Sequence, residues 1–589
     1  VVQIMLKVQT NVCRSATSLD GVWKFKTTGD GYVPVEPLKD YRLMPVPASM
    51  NDIVTDMDLR EYVGKVVYET QFSCPTENGR EYRLRIGATS HKCEIFLNGK
   101  YIGGSDSAFL PIDLPLPELE EINRLAVVID NRLDYHTLPS GRLVKGNDLF
   151  VYDRLGKYPV AGDEKSFGKD KQIINHDFYN YTGIHRSVFV YSLPEKHIDD
   201  IVIKTVVNGD YHVVSAELKG DGRDAVYTVT DENGDVVSSG KTGMIYIKNP
   251  YLWQIGEPYL YTLTVRTATD CYREKFGIRK ISYDDKSLYV NDNPVYLKGF
   301  GMHEDFPIIG KGNNSAVNVR DFELLKWINA NCFRTSHYPY AEEIMDLADE
   351  YGLLVVDEVP AVGCNNWPDY TYGENRLDEI TLALHKNSLR LMLERDKNHP
   401  CLAMVSVANE AATYEDASRE YFSEVIGYVR SLTDLPVTTA ELTRACEGNK
   451  IGDLVDFIGL NRYFGWYDEI GNIKAAEPLL KRDLNAYYEQ FKKPILMFEF
   501  GADAIEGMHS LPAVAFSEEY QAEFLKEYCR IFDELPYVQG ELVWNFADFM
   551  TKQGTIRVNG NRKGVFTRER QPKSAAFYLK ERWQNKTEK

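Results

Sequence analysis

The chain has 589 residues, which is too long for one hydrophobic core and indicates about three or four domains. Hydrophobic residues make up 43% of the sequence and charged residues 26%, as in ordinary globular proteins. The formal net charge of −19 argues against nucleic acid or an anionic membrane surface as a partner, because both attract basic surfaces.

The nine cysteines are scattered singly, without a C-x-x-C pair. This pattern is typical of reduced thiols in a cytosolic protein rather than of a disulfide framework or a zinc site. Residues 1–7 are too short and too polar for a signal peptide. No apolar run approaches the roughly 18 residues that a membrane span requires. We therefore expect a cytoplasmic protein, with its natural start left open because the sequence does not begin with methionine.

Residues 1–193 are rich in strands and turns. Segments 82–86 and 93–97 alternate in polarity, and Asn98-Gly99 supplies a type I′ hairpin turn into the next strand. No long helical period interrupts them. The pattern predicts an N-terminal β-sandwich, jelly-roll-like and of the sugar-binding kind.

Residues 194–278 form a second, smaller β-rich region. Segments 226–230 and 236–237 flank Asn233-Gly234, a further hairpin signal, and segment 260–265 alternates again. About 85 residues with several such strands favour an immunoglobulin-like β-sandwich.

From residue 279 to 589 strands alternate with amphipathic helices, the latter including 317–330, 378–395, 416–431 and 517–532. Eight strands alternating with helices over about 310 residues predict a (β/α)8 TIM barrel. The predicted strands are 295–300, 332–335, 353–356, 402–410, 437–439, 457–460, 494–501 and 540–544.

Two of these apolar runs contain a glutamate near their end, Glu410 in 402–410 and Glu499 in 494–501. Buried parallel strands are apolar on both faces, so an ionisable side chain belongs at the strand's exit. Active sites of such barrels lie at the C-terminal strand ends. Two carboxylates that converge there are the minimum equipment for cleaving a glycosidic bond.

The other predicted strand ends also carry polar residues. Together with the two glutamates they indicate an acidic, aromatic-lined barrel mouth suited to a sugar. Spacing alone does not favour Glu410 and Glu499 over Glu358 or Glu441. No close-spaced histidine pair such as H-x-x-x-H occurs, so a metal is not expected. Cleavage by two carboxylates requires no cofactor either. The residues are His303, Glu304, Arg334, His337, Asp357, Glu358, Asn409, Glu410, Glu441, Asn461, Tyr463, Glu499, Trp544 and Asp548.

Several longer motifs occur in a definite order. RDKNHP at 395–400, Asn409-Glu410, and NRYFGWY at 461–467 resemble the signatures of glycoside hydrolase family 2. Within that family RTSHYPY at 334–340, VWNFADF at 543–549 and NGNRKGVFTR at 559–568 resemble bacterial-type β-glucuronidases. The similarity extends over nearly the whole chain, including the order of the three domains.

The resemblance assigns roles to individual residues. It implies that Glu410 is the general acid/base and Glu499 the nucleophile of a retaining β-glucuronidase. Asn409 would contact the sugar 2-hydroxyl, and Tyr463 would bond the nucleophile. The implied substrate-binding residues are Asp177, His337, Asn409, Tyr463, Tyr467, Trp544, Arg557, Asn561 and Lys563, of which Asn561 and Lys563 would hold the sugar carboxylate.

The Lys563 ammonium carries the expected selectivity for uronic acids. A neutral sugar would leave a buried ammonium without an anion, which is costly. Alternative activities are a family 2 β-galactosidase, β-mannosidase or β-galacturonidase, and, from another class, a non-catalytic carbohydrate-binding protein. The partners expected are small glucuronide conjugates, and relatives are commonly tetramers. Segment 363–373 is shorter than the loop that covers the aglycone in gut bacterial relatives, so the aglycone stays open.

Overall fold

The computed structural model describes residues 6–586 except 145–149, 154–155, 160–170, 209–210, 367–368 and 445. Two of the undescribed residues fall inside segment 363–373. No helix in the described ranges is long and apolar enough to cross a membrane.

The N-terminal part is a β-sandwich with one four-stranded and one six-stranded antiparallel sheet. In spatial order the first sheet contains Ser15–Ser18, Val188–Pro194, Arg80–Ile86 and Ile112–Pro115. The second contains Arg42–Val46, Gly21–Thr28, Lys65–Phe72, Asn123–Asp130, Lys92–Leu97 and Lys100–Ser105. Smaller strands are Ala48–Ser49, Thr89–Ser90, Gly183–Ile184, Gly141–Val144, Lys171–Ile174, Phe150–Asp153 and Gly156–Pro159, with short helices Met50–Ile53 and Met57–Arg60.

The predicted hairpin at Asn98-Gly99 is confirmed. It joins Lys92–Leu97 to Lys100–Ser105, and both turn residues have positive φ, 49° for Asn98 and 80° for Gly99. Two consecutive positive φ values define the type I′ turn, whose twist matches that of the flanking strands.

The second region also consists of two sheets, as the immunoglobulin-like prediction requires. A three-stranded sheet contains Ile198–Asn208, Tyr211–Gly220 and Met244–Lys248. A four-stranded sheet contains Val236–Gly240, Val226–Thr230, Tyr261–Arg266 and Cys271–Phe276. Strands Ile281–Tyr283, Leu288–Val290 and Asn293–Val295 form a small sheet that leads into the barrel.

The C-terminal part is a closed parallel barrel of eight strands, which we label β1 to β8. All eight predicted strands are present. They are β1 (Leu297–Gly301), β2 (Cys332–Arg334), β3 (Leu354–Glu358), β4 (Leu402–Asn409), β5 (Val437–Glu441), β6 (Ile458–Asn461), β7 (Ile495–Glu499) and β8 (Val538–Val543). The barrel-region helices are α1 (Ser315–Trp327), α2 (Glu342–Tyr351), α3 (Glu379–Asp396), α4 (Ser418–Leu432), α5 (Ala476–Phe491), α6 (Glu518–Asp533) and α7 (Ser574–Asn585), with 3-10 turns Cys446–Gly448 and Ile473–Ala475.

The sandwich docks against the mouth of the barrel. Phe178 forms an isolated antiparallel bridge with Thr551, and the Tyr179 amide donates to the Met550 carbonyl at 2.9 Å. These backbone contacts join residues that are far apart in sequence. They fix the sandwich segment that contains Asp177 at the edge of the barrel.

Arg568 stabilises the same interface from the barrel side. Its Nη2 donates to Asp52 Oδ2 at 2.6 Å and to Tyr181 OH at 2.8 Å, both in the sandwich. Its Nε donates to Asp305 Oδ1 of the barrel at 2.6 Å. The Asp52 and Asp305 side chains are 6% and 4% exposed. Arg60 Nη1 also lies 3.1 Å from Asp52 Oδ1, whereas Arg568 is the one cation within 4.0 Å of the Asp305 carboxylate among the described residues.

We predict that Arg568→Ala lowers the free energy of unfolding by about 3 kcal/mol or more, because it leaves the buried Asp305 carboxylate without a cation and removes one of the two cations beside Asp52. Thermal denaturation should show a midpoint lower by several degrees. The control is Arg42→Ala, which breaks a 3.4 Å pair between side chains that are 60% and 45% exposed. An exposed pair contributes at most about 1 kcal/mol. Equal midpoints for the two variants would contradict the role of Arg568.

Candidate active site

Six consecutive barrel strands, β2 to β7, end on a buried polar or charged residue. Parallel strands place these ends at one rim of the barrel, so side chains distant in sequence meet there. The six residues are Arg334, Glu358, Asn409, Glu441, Asn461 and Glu499.

Arg334 is at the centre of this rim and is fully buried. Its Nε donates to Glu358 Oε2 at 2.8 Å and its Nη1 to Glu499 Oε1 at 3.0 Å. Its Nη2 donates to Asn409 Oδ1 at 2.7 Å. One guanidinium therefore connects the ends of β2, β3, β4 and β7.

Glu499, the predicted nucleophile, receives hydrogen bonds on both carboxylate oxygens. Arg334 binds Oε1, and the Tyr463 hydroxyl donates to Oε2 at 2.7 Å, as the resemblance implied. Burial raises the pKa of Glu499 to about 8, Arg334 opposes this shift, and the charge of Glu410 adds to it. Both hydrogen-bond donors stabilise the ionised form of Glu499.

Glu410, the predicted acid/base, follows β4 directly and adopts a left-handed φ of +50°. Such a backbone conformation is unfavourable for a residue with a side chain and concentrates at functional sites. Its Oε1 accepts a hydrogen bond from Asn461 Nδ2 at 2.9 Å. Burial raises the pKa of Glu410, and Asn461 lowers it.

The two glutamates form a coupled pair that retains a proton at higher pH than ordinary carboxyl groups, because burial raises the pKa of each. The hydrogen-bond donors decide where the proton resides. Glu499 has a guanidinium and a phenol as donors, whereas Glu410 has one neutral amide among its described contacts. These donors favour the ionised form of Glu499 against the burial that raises its pKa, and the predicted roles place the proton on Glu410.

The structure also separates this pair from the other two glutamates that spacing left open. Glu358 is fully buried, and Arg334, Ser406 and His337 lie within 3.1 Å of its two oxygens. Burial acts against its charge, but Arg334 lowers the pKa of Glu358 to about 2. Glu441 accepts from Thr413 Oγ1 at 2.5 Å, and burial raises its pKa to about 7. Of the four, only Glu410 lies just beyond its strand and is partly exposed to solvent.

His337 and Trp544 form one wall of the rim. Their rings stack with centroids 5.1 Å apart and planes at 20°. His337 Nδ1 lies 2.9 Å from Glu358 Oε1, and its Nε2 lies 3.8 Å from Glu499 Oε1. Burial lowers the pKa of His337 to about 4, so this ring is neutral near pH 7.

Asp177 connects the sandwich to the C-terminal loop of the barrel. Its Oδ2 accepts from Asn561 Nδ2 at 2.7 Å, and its Oδ1 accepts from Arg557 Nε at 3.0 Å. Asp177 also contributes to the raised pKa of Glu410. Three of the predicted substrate-binding residues, separated by up to 384 positions, thus belong to one cluster.

Lys563 completes this cluster, but the expectation of an unpaired ammonium is wrong. Its side chain is 0% exposed, and its Nζ donates to Asp503 Oδ2 at 2.5 Å. A second bond goes to Tyr467 OH at 2.9 Å, and Arg557 Nη2 donates to the same hydroxyl at 2.7 Å. Because a buried ammonium is costly without an anion, the protein supplies Asp503 as a permanent partner.

Sequence reasoning did not identify Asp503, and it gave no role to Arg334. Asp503 is four residues beyond Glu499, outside every motif that carries the resemblance. Its position on the loop after β7 was the available signal, since loops at this rim build the site.

One group of metal-ligand types occurs among the described residues, namely Asp349, His399 and Cys401. His399 Nδ1 lies 2.6 Å from Asp349 Oδ2, and the Cys401 amide donates to Asp349 Oδ1 at 2.9 Å. Burial raises the pKa of the Cys401 thiol well above its usual value, which favours the protonated form rather than a metal ligand. The group precedes β4, so it lies at the opposite end of that strand from Glu410.

Comparisons with known proteins agree with this geometry. Residues 281–587 match the model "Glycosyl hydrolases family 2, TIM barrel domain", and residues 184–279 match "Glycosyl hydrolases family 2". A β-glucuronidase of Paenibacillus borealis is 41% identical, covering 98% of each chain.

Two solved structures extend the likeness to three dimensions. A β-glucuronidase from an uncultured Clostridium sp. has a TM-score of 0.91 at 42% identity, covering 99% of this chain and 100% of that one. The Ruminococcus gnavus β-glucuronidase in complex with D-glucuronic acid has a TM-score of 0.89 at 37% identity, covering 99% and 100%. With a family model matching more than half of its length and a relative of this identity over nearly all of it, the chain belongs to glycoside hydrolase family 2.

Proposed function

We propose that this chain is a retaining exo-β-glucuronidase that hydrolyses β-D-glucuronides to glucuronate and the aglycone. The substrate class rests on a cluster of spare hydrogen-bond donors beside Glu410 and Glu499. The chemistry rests on the carboxyl pair itself and on the single proton assigned to it.

Three donor groups remain available at the cluster of Arg557, Asn561 and Lys563. Arg557 Nη1 is buried and has no hydrogen-bond partner within the described part of the chain. Lys563 Nζ has three N–H groups and makes two bonds, and Asn561 Nδ2 has two N–H groups and makes one. A carboxylate accepts several charge-assisted hydrogen bonds on two oxygens, whereas the C6 hydroxyl of a neutral hexose offers one uncharged oxygen. A uronic acid therefore satisfies more of these donors and binds them more strongly.

The first chemical step joins the sugar to Glu499. Ionised Glu499 attacks the anomeric carbon, and Glu410 delivers its proton to the leaving oxygen, so the glycosidic bond breaks as the glycosyl–carboxylate bond forms. Arg334 and Tyr463 hold the attacking carboxylate and stabilise its ionised form against burial. Asn409, fixed by Arg334 at 2.7 Å, is proposed to bind the sugar 2-hydroxyl.

The second step releases glucuronate. Once Glu499 is esterified its negative charge is lost, and with it one reason for Glu410 to hold a proton. Glu410 then accepts a proton from water, which attacks the anomeric carbon and displaces Glu499. The two inversions give net retention of the β-configuration.

The relatives support the same substrate class. Those reported above are named β-glucuronidases, and one structure holds D-glucuronic acid. A galactoside or a mannoside would satisfy fewer of the spare donors than a uronic acid, and a purely binding protein would not need the carboxyl pair. A galacturonide carries the same carboxylate as a glucuronide, so only an assay distinguishes a β-galacturonidase from a β-glucuronidase.

Finer features belong to the same proposal. We place the protein in the cytoplasm because of its scattered thiols and acidic charge, and we expect a homotetramer by analogy with the family. Domain boundaries near residues 193 and 278 agree with the sheet divisions described above.

The deciding assay measures how fast the unmodified chain releases nitrophenol from four substrates. They are 4-nitrophenyl β-D-glucuronide, β-D-galacturonide, β-D-galactoside and β-D-glucoside. Rapid release of nitrophenol from the glucuronide alone is the expected result. Preference for a neutral sugar, or no release from any substrate, would overturn the proposal.

The nucleophile assignment predicts that Glu499→Ala lowers kcat by roughly 10⁴-fold or more, because the covalent route disappears. Azide should restore turnover and give an α-glucuronosyl azide, identified by NMR. Glu506→Ala, which removes an exposed acid on the same loop, is the control and should keep full activity. Near-normal hydrolysis by the Glu499 variant would refute the assignment.

The acid/base assignment predicts a leaving-group effect for Glu410→Gln. An alkyl glucuronide should lose far more kcat/KM than a 4-nitrophenyl glucuronide, because a good leaving group needs little protonation. The unmodified chain should lose kcat/KM as pH rises through the elevated pKa of the pair, since the acid must be protonated. The variant should lose this alkaline limb on the aryl substrate. Equal losses on both substrates would argue against Glu410 as the acid.

The carboxylate-binding assignment predicts that Lys563→Met lowers kcat/KM on the glucuronide about 10- to 100-fold. This is the loss of a charge-assisted bond of about 1.5–3 kcal/mol, at about 1.4 kcal/mol per tenfold. Activity on the matching glucoside starts low and should stay level rather than rise, because Asp503 already pairs the lysine. A parallel fall on both substrates would make Lys563 a scaffold residue.

A further inference from the structure

Asp503 lies within the cluster that is proposed to hold the substrate carboxylate, although it carries the same charge. It is 2% exposed and lies four residues beyond Glu499. Its Oδ1 accepts from the backbone amide of Arg562 at 2.7 Å, and its Oδ2 accepts from Lys563 Nζ at 2.5 Å. Arg557 Nη1 is 3.6 Å from Oδ2. Both oxygens are therefore occupied by donors from the loop that follows β8.

Besides Asp503, the Lys563 ammonium has one hydrogen-bond partner among the described residues, the neutral Tyr467 hydroxyl at 2.9 Å. Its Nζ lies over three aromatic rings, 4.6 Å from the centroid of Tyr467, 5.1 Å from Trp466 and 5.6 Å from Tyr463. Asp503 is its one carboxylate partner within 4.0 Å among residues that the structure describes. A lysine side chain has four rotatable bonds, so a fixed anion is needed to hold its charge at one place in the pocket.

The charges of the cluster balance before any substrate binds. Asp177 and Asp503 contribute two negative charges, and Arg557 and Lys563 contribute two positive charges. Burial disfavours the ionised form of Asp503, but Lys563 and Arg557 outweigh it and lower the pKa of Asp503. Selectivity for a uronic acid must therefore come from how the donors are aimed rather than from excess positive charge.

We propose that Asp503 is a positioning residue that holds Lys563 at the carboxylate end of the pocket and so determines selectivity for uronic acids. It also keeps the lysine charge neutralised near Tyr463, whose hydroxyl bonds Glu499. This role rests on the proposed β-glucuronidase function, because only a uronic acid substrate brings a carboxylate that Lys563 can bind.

Asparagine at position 503 tests the role because no orientation of an amide replaces the carboxylate. Both Asp503 oxygens accept hydrogen bonds, from Arg562 N and from Lys563 Nζ. In either orientation the asparagine NH₂ group faces a donor, and the charge that attracts Lys563 is lost.

The experiment is a double-mutant cycle with Asp503→Asn, Lys563→Met and the combination, using 4-nitrophenyl β-D-glucuronide. Asp503→Asn should lower kcat/KM at least tenfold, mainly through KM, and change the matching glucoside less than threefold. If Asp503 acts through Lys563, the double variant should fall within threefold of Lys563→Met alone. If the loss of kcat/KM in the double variant equalled the product of the two single losses, the proposal would be overturned. If the asparagine variant does not fold, Asp503→Ala goes through the same cycle with the same criterion.

The pH dependence of kcat/KM provides a second test, because it would not change if Asp503 only stabilised the fold. In Asp503→Asn the positive charge of Lys563 is uncompensated, which should lower the pKa of the Glu410–Glu499 pair and move the alkaline limb of kcat/KM to lower pH. The double variant should return the limb to its original position, and an unmoved limb in Asp503→Asn would overturn the proposal. Glu506→Gln, at an exposed acid of the same loop, is the control and should match the unmodified chain. Failure of the unmodified chain to hydrolyse the glucuronide would instead overturn the proposed function.

Discussion

The site depends on the buried guanidinium of Arg334. A cation removed from water requires several acceptors, and Arg334 obtains them from Glu358, Glu499 and Asn409. Each of the four residues is the last of its strand. The contacts of the Arg334 guanidinium therefore hold the ends of four strands at fixed positions along the barrel axis. The same contact stabilises the ionised form of the proposed nucleophile against the burial that raises its pKa. Stability of the rim and reactivity of Glu499 thus share one interaction.

The pocket belongs to two parts of the chain rather than to the barrel alone. The sandwich supplies Asp177, and the loop after β8 supplies Arg557 and Asn561, which bond to it. Arg568, on the same loop, is anchored to buried carboxylates on both sides of the interface. This arrangement gives the sandwich a function beyond packing, because its docking positions one wall of the proposed substrate pocket.

The two ends of the proposed pocket differ in how their charged groups are stabilised. At the reacting end burial raises the pKa of both Glu410 and Glu499, so one proton is retained for catalysis. At the proposed carboxylate end Lys563 and Asp503 form an ion pair, and Lys563 lowers the pKa of Asp503. The first end needs a proton that moves between steps, whereas the second needs donors that stay in place.

The sequence by itself determined the strands, the Asn98-Gly99 hairpin and the placement of both catalytic candidates at strand ends, because these depend on local periodicity and turn chemistry. The family motifs then selected Glu410 and Glu499 among the acidic candidates. Only the tertiary structure decided the partners: Arg334 meets Glu499 across 165 residues, and Lys563 meets Asp503 across 60. Such pairings follow from how eight parallel strands close into a barrel, and no local pattern encodes which ends become neighbours.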